Sequence, residues 1–189
     1  MSTTSAPVYP AAAQIPVDLF VSKKYPGLSR RGLGFADSLG NLLFRVDRIS
    51  PSSSSSYKWV VVDHSSGNPL FCILRQHNGS WHGFKEDGEG KNKMIFRVQR
   101  TLNRLFTTEL EVFLVKDDSG ESTCDFKVKG CPARRSCTIF GGKDIIAQTS
   151  LMYKLNQILA RRSRFRLTIF PGYTDHALVV ALVVIFLDR

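Results

Sequence analysis

The last stretch of this chain constrains it most. From Ala177 to Leu187 every residue is apolar, with Asp175-His176 before the run and Asp188-Arg189 after it. Neither a helical nor a strand period leaves such a run a wet face, so protein or lipid must enclose it. A membrane-spanning helix needs roughly 17–25 apolar residues, and this run is about half that. Enclosure by protein follows, and the rest of the chain has to build the container. The β-branched Val179, Val180, Val183, Val184 and Ile185 slightly disfavour helix. Against them stand the length of the run, an N-cap from Thr174 or Asp175, a strand stop at Pro171-Gly172 and a cation, Arg189, at the C-terminal end. The run is predicted to be a helix over about 175–188, and a helix apolar all round is a core helix.

The container is written in period two. Leu42, Phe44 and Val46 alternate with Arg45 and Asp47; Met94, Phe96 and Val98 with Arg97 and Gln99. Phe126 and Val128 alternate with Lys127 and Lys129; Phe165, Leu167 and Ile169 with Arg164, Arg166 and Thr168. Successive strand side chains point to opposite faces, so these read as strands with one wet face. Turn signals separate them at short intervals: Asp37-Ser38-Leu39-Gly40-Asn41, Asp63 to Pro69, Asp117-Asp118-Ser119-Gly120 and Gly141-Gly142-Lys143-Asp144. About a dozen antiparallel strands followed by one core helix predict a β-barrel closed around the helix, a mainly β fold without free sheet edges. Pro51 to Ser56 and Glu86 to Asn92 read as loops, and Leu151 to Arg162 has the spacing of a short helix. Residues 1–16, rich in Ser, Thr, Ala and Pro, read as a flexible tail ahead of a single domain over 17–189.

The chain has 189 residues, with 26 Lys and Arg against 16 Asp and Glu, a net charge of +10 that favours acidic partners. Cys72, Cys124, Cys131 and Cys137 contain no C-x-x-C pair, so no zinc site is expected. The Cys131-to-Cys137 spacing could close a small loop, but reduced thiols are the default without a secretory signal. The opening segment has no basic and apolar signal pattern and no glycine after Met1, so neither export nor N-myristoylation is expected. A cytoplasmic protein follows, peripheral to a membrane or nuclear, rather than a secreted one; the sequon Asn78-Gly79-Ser80 is then a coincidence.

Five passages in order resemble the plant LURP-one-related proteins of the Tubby-like superfamily. They are Asp37 to Val46, the hairpin Trp59 to Leu70, Trp81 before a Gly-rich loop, Cys124 to Gly130 with Arg135-Ser136-Cys137, and the ending Phe165 to Leu187. The resemblance implies a twelve-stranded antiparallel barrel around a central C-terminal helix. It implies kinship with phospholipid scramblases and with tubby proteins, which tether to membranes through phosphoinositides, and an association with plant defence. Relatives tend to carry a few more polar residues after the position of Asp188-Arg189, which suggests that the chain is truncated there.

Candidate binding residues are the late basic clusters: Lys127 and Lys129 on one strand face, Arg134 and Arg135 in one turn, and Arg161, Arg162, Arg164 and Arg166. Arginine forks match phosphate oxygens, so anionic phospholipid headgroups, phosphoinositides included, are the expected partners, with a protein partner as the alternative. The plainer reading is that these are solvated strand faces. A nucleic-acid-binding regulator would use exposed aromatics between cations. Arg164-Phe165-Arg166 has that look, but Phe165 is in phase with the core, so nucleic acid is not expected. An enzyme built on His64, His77, His82, His176 or a cysteine in a surface cleft is the rival from another class. No motif supplies a nucleophile with its base, so no catalytic residue, metal or cofactor is expected. The prediction is a non-enzymatic signalling module that binds lipid or a partner; the sequence leaves its oligomeric state open.

Overall fold

The alternating segments form twelve strands in the computed structural model, which describes residues 15–29, 32–50, 57–86, 92–104, 106–115, 123–152, 164–172 and 175–188. They are β1 (Val17–Ser22), β2 (Leu33–Ala36), β3 (Leu42–Ile49), β4 (Lys58–Asp63), β5 (Pro69–Arg75) and β6 (Trp81–Glu86). Next come β7 (Asn92–Asn103), β8 (Thr108–Leu114), β9 (Phe126–Cys131), β10 (Ser136–Gly141), β11 (Asp144–Leu151) and β12 (Arg164–Ile169). Each pairs antiparallel with its neighbour in sequence, and β1 closes the barrel on β12 with Val17 opposite Ile169 and Ser22 opposite Arg164. Closure gives every strand two partners, so no row of backbone groups is left as an edge.

The predicted phases hold through the middles of the strands, but beside the register shifts of β2–β3 and β6–β7 Leu42 and Met94 do not join the core, and Ile95 packs on it in place of Met94. Val46, Phe96, Val98, Val128, Phe165, Leu167 and Ile169 are buried inside the barrel. Gly83 is one of these inward positions, and a Cβ there would run into the Phe96 ring. Its missing side chain is what lets Phe96 turn edge-on to Phe71, with ring centroids 5.9 Å apart.

The terminal run is the helix α1 (His176–Leu187), buried from Leu178 to Phe186. Asp175 is its N-cap: Oδ1 accepts from the Leu178 N–H at 2.9 Å. Tertiary burial overrides the β-branched residues' preference, since each large side chain removed from water contributes roughly 1.5–3 kcal/mol. At 1.5 Å per residue the helix is about 18 Å long. No helix among the described residues is long and apolar enough to cross a membrane.

The predicted short helix finds its first residue, Leu151, at the end of β11, and 153–163 lie outside the described residues. So do the expected loops over 51–56 and 87–91 and the expected tail over 1–14; Glu86 and Asn92 are strand ends. The four cysteines are free thiols, and Cys131 faces Ser136 across the β9–β10 pair.

The helix enters beside the end of β12 and leaves at the opposite mouth. Six pairs of strand ends meet at that exit mouth, those joined by the connections β1–β2, β3–β4, β5–β6, β7–β8, β9–β10 and β11–β12. The strand ends joined by the other five connections meet at the entry end, with the end of β12 and the start of α1.

Candidate anion-binding site at one mouth of the barrel

Three arginines point into the barrel rather than out of it. On β3, Arg48 continues the inward phase of Phe44 and Val46; on β5, Arg75 continues Phe71 and Ile73; on β7, Arg100 continues Phe96 and Val98. Each occupies an inward position at the exit mouth, beyond the last apolar one, because alternate residues share a face. The signal stands in the sequence three times as Phe-x-(Val or Ile)-x-Arg. The sequence reading missed it by stopping each alternation at its last apolar residue.

These arginines surround the end of α1. Asp188, 6% exposed, caps the helix with its N–H on the Ile185 carbonyl. Its carboxylate accepts from the Tyr57 hydroxyl at 2.8 and 2.9 Å and from Trp81 Nε1 at 3.2 Å. Arg75 Nη1 donates to the Tyr57 oxygen at 3.0 Å, and Arg100 Nη2 to the Asp188 carbonyl at 3.1 Å. Arg48 lies 3.5 Å over the Tyr57 ring and 5.5 Å from that of Trp59, while Arg100 lies 4.9 Å over Trp81. Ring faces attract such cations. The Tyr57 hydrogen bond raises the pKa of Arg75, whereas burial and then repulsion from Arg75 lower that of Arg100, with Asp188 opposing.

Two cavities open beside this cluster. One, of about 340 Å³, is lined by Arg100, Arg104, Thr108, Phe186 and Asp188 among others. The second, of about 370 Å³, lies between Lys23, Trp59, Arg135, Phe165, Leu187 and Asp188. Asp188 is the one carboxylate on either lining among the described residues.

Arg135 is held there by unusual backbone. It closes the turn Pro132–Arg134 at φ 50°, the only non-glycine residue with positive φ among the described residues. Thr149 Oγ1 donates to its carbonyl at 2.9 Å and accepts from the Cys137 N–H at 2.8 Å, pinning the turn to β11. The guanidinium turns inward, 5.8 Å from the Phe165 ring centroid, and burial alone lowers its pKa.

The other predicted cations are not brought together. Lys127 and Lys129 face outward and pair with Glu111 and Glu109 on β8, at 3.1 and 3.3 Å. Arg166 points out from β12 toward Asp18, 3.5 Å away, and Arg164 lines a separate outer groove with Tyr25 and Asp37. Two strands, β10 and β11, separate these from the lysines. Arg134 is exposed at the exit mouth, and Arg161 and Arg162 lie outside the described residues. His64 and His77 sit in turns at opposite ends, His82 faces out from β6 and His176 begins α1. No group of three or more His, Cys, Asp or Glu is placed to hold a metal among the described residues. Burial pushes the Cys137 thiol up to about 12, the wrong direction for a nucleophile.

Comparison with known proteins matches the LURP-one-related family model over residues 17–188. The chain belongs to the LURP-one-related family. Protein LURP-one-related 7 of Arabidopsis thaliana is 50% identical over 191 residues, covering 100% of both chains. LURP-one-related 15 of the same plant is 29% identical over 93% of this chain and 81% of its own. A solved X-ray structure of an Arabidopsis thaliana protein superposes with a TM-score of 0.60 at 28% identity, covering 92% of this chain and 90% of that one. The barrel with its enclosed helix is thus a LURP-one-related architecture.

Proposed function

We propose that this protein is a non-catalytic module that docks on an anionic phospholipid surface through the exit mouth of its barrel. One observation carries the reading: the charge of the molecule is divided between its two ends. The sequence of the six exit-mouth connections contains no Asp or Glu and includes Lys23, Lys24, Arg104, Arg134 and Arg135. Arg48, Arg75 and Arg100 add to them from the strand ends. The entry end instead carries Asp37, Asp63, Asp125, Asp144 and Asp175.

An anionic leaflet would therefore attract one pole and repel the other. Each Lys or Arg near such a surface contributes about 1 kcal/mol, and a cluster of them holds a barrel in one orientation. Phe106, 66% exposed in the β7–β8 turn, and the exposed Ile49 and Met152 stand among these cations, placed to enter the headgroup region. Exposed apolar residues also occur at the entry end, Leu39 and Ile15 among them. Charge rather than apolar surface selects the face. The resemblance to the LURP-one-related proteins supports reading this docking as a step in plant defence signalling.

Vesicle co-sedimentation tests the reading. The chain is expected to pellet with phosphatidylcholine vesicles made anionic with phosphatidylserine, a lipid that gives the cytoplasmic leaflet its negative potential, and not with phosphatidylcholine alone. Lys23→Glu combined with Arg104→Glu and Arg134→Glu should abolish pelleting, and Lys127→Glu should leave it nearly unchanged. Equal pelleting with both vesicle types, or with neither, would overturn the docking.

A further inference from the structure

We propose that the cavity between Trp59, Arg135 and Lys23 is a binding pocket for a phosphomonoester. Its place within the docking face makes its use at a membrane rest on the docking reading, but the pocket stands on its own donors. Trp59 Nε1 and Arg135 Nη1 are both buried without a hydrogen-bond partner among the described residues, and both residues line this one cavity. Buried donors are costly to leave unmet, so nearly all find an acceptor. The acceptor the lining does offer, Asp188, already receives Tyr57 and Trp81.

The cavity therefore presents donors and positive charge and asks for an acceptor-rich anion. A phosphomonoester supplies three acceptor oxygens and a charge of about −1.5 to −2 at neutral pH, one oxygen each for the indole N–H, the guanidinium and the Lys23 ammonium. A carboxylate supplies only two. Phe165, Val184 and Leu187 give the pocket an apolar side for the carbon skeleton that bears the phosphate. The cavity of about 370 Å³ lies within the range of small-ligand sites.

The backbone at Arg135 points the same way. A left-handed conformation costs an arginine what it does not cost a glycine. Arginine at this φ of 50° brings a guanidinium over Phe165 where glycine would satisfy the turn alone. No described carboxylate is paired with it, and burial lowers its affinity for its own proton. A bound phosphate would reverse that penalty.

Free phosphomonoesters and lipid headgroups share this chemistry, and calorimetry separates them. The full chain is titrated with inorganic phosphate, with soluble inositol 1,4,5-trisphosphate, and with phosphatidylcholine vesicles carrying phosphatidylinositol 4,5-bisphosphate. Saturable binding of the soluble trisphosphate is expected. Arg135→Gly, which suits the backbone, should keep a cooperative thermal transition and weaken that binding at least tenfold; Trp59→Phe should weaken it with the apolar ring retained. Lys127→Gln should bind as the unaltered chain does. Folded Arg135→Gly that binds at full strength would overturn the pocket. So would an unaltered chain that pellets with anionic vesicles yet shows no saturable binding of either soluble probe at millimolar concentration, and the docking reading would survive that result. Saturable binding of the soluble trisphosphate without any vesicle association supports the pocket with a free ligand and removes the docking.

Discussion

Asp188 is a carboxylate at the end of a helix that electrostatics disfavours for it, since the helix C-terminus carries partial negative charge. It is tolerated because Tyr57, Trp81, Arg75 and Arg100 converge on it. Removing its side chain would leave the Tyr57 hydroxyl and the Trp81 indole N–H without their acceptor, and would take the nearby negative charge from Arg75 and Arg100. Asp188→Ala is expected to destabilise the fold by about 2 kcal/mol, read as a lower urea midpoint at unchanged slope, with Asp188→Asn losing less because its amide oxygen still accepts. Nothing near Asp188 in sequence announces this role. Its partners come from the residue just before β4 and from β5, β6 and β7, brought together only by closure of the barrel. Arg135 was legible as a cation in a turn; that its side chain folds inward depends on a backbone angle no spacing reveals.

At the scale of the element, α1 illustrates what length and composition can decide. Propensity leaned toward strand through five β-branched residues, yet a run with no polar face and a carboxylate at its N-cap has one destination in a barrel of this girth. Val180→Asp would bury a charge at a position with no exposed surface in the middle of the helix. The fold should be lost, seen as the disappearance of cooperative thermal unfolding; a folded Val180→Asp that merely left vesicles would restore the run as a membrane anchor. The strands were readable by their alternation, except at their ends. The alternation places Arg48, Arg75 and Arg100 inside, against the ordinary expectation that arginine faces water, and the expectation prevailed over the phase. Lys127 and Lys129 failed as site residues for the converse reason. Their outward phase was read correctly, but their register against Glu111 and Glu109 of a different strand could not be.

For the whole molecule, the net charge of +10 is less informative than its division between two poles. If docking is electrostatic, vesicle association should fall steeply as salt rises, since the screening length shrinks from about 10 Å at 0.1 M to about 3 Å at 1 M. The urea midpoint of the free chain should change little over the same range; association that persisted at 1 M salt would point to Phe106 and its apolar neighbours as the main anchor. The sequence by itself determined the barrel and its enclosed helix, because both follow from local periodicity and from a run that cannot face water. The tertiary structure alone decided where chemistry can happen. Antiparallel alternation sends every second connection to the same end, so residues far apart in sequence meet at one mouth. Only closure of β1 on β12 turns a list of scattered arginines into a basic pole with a pocket in it.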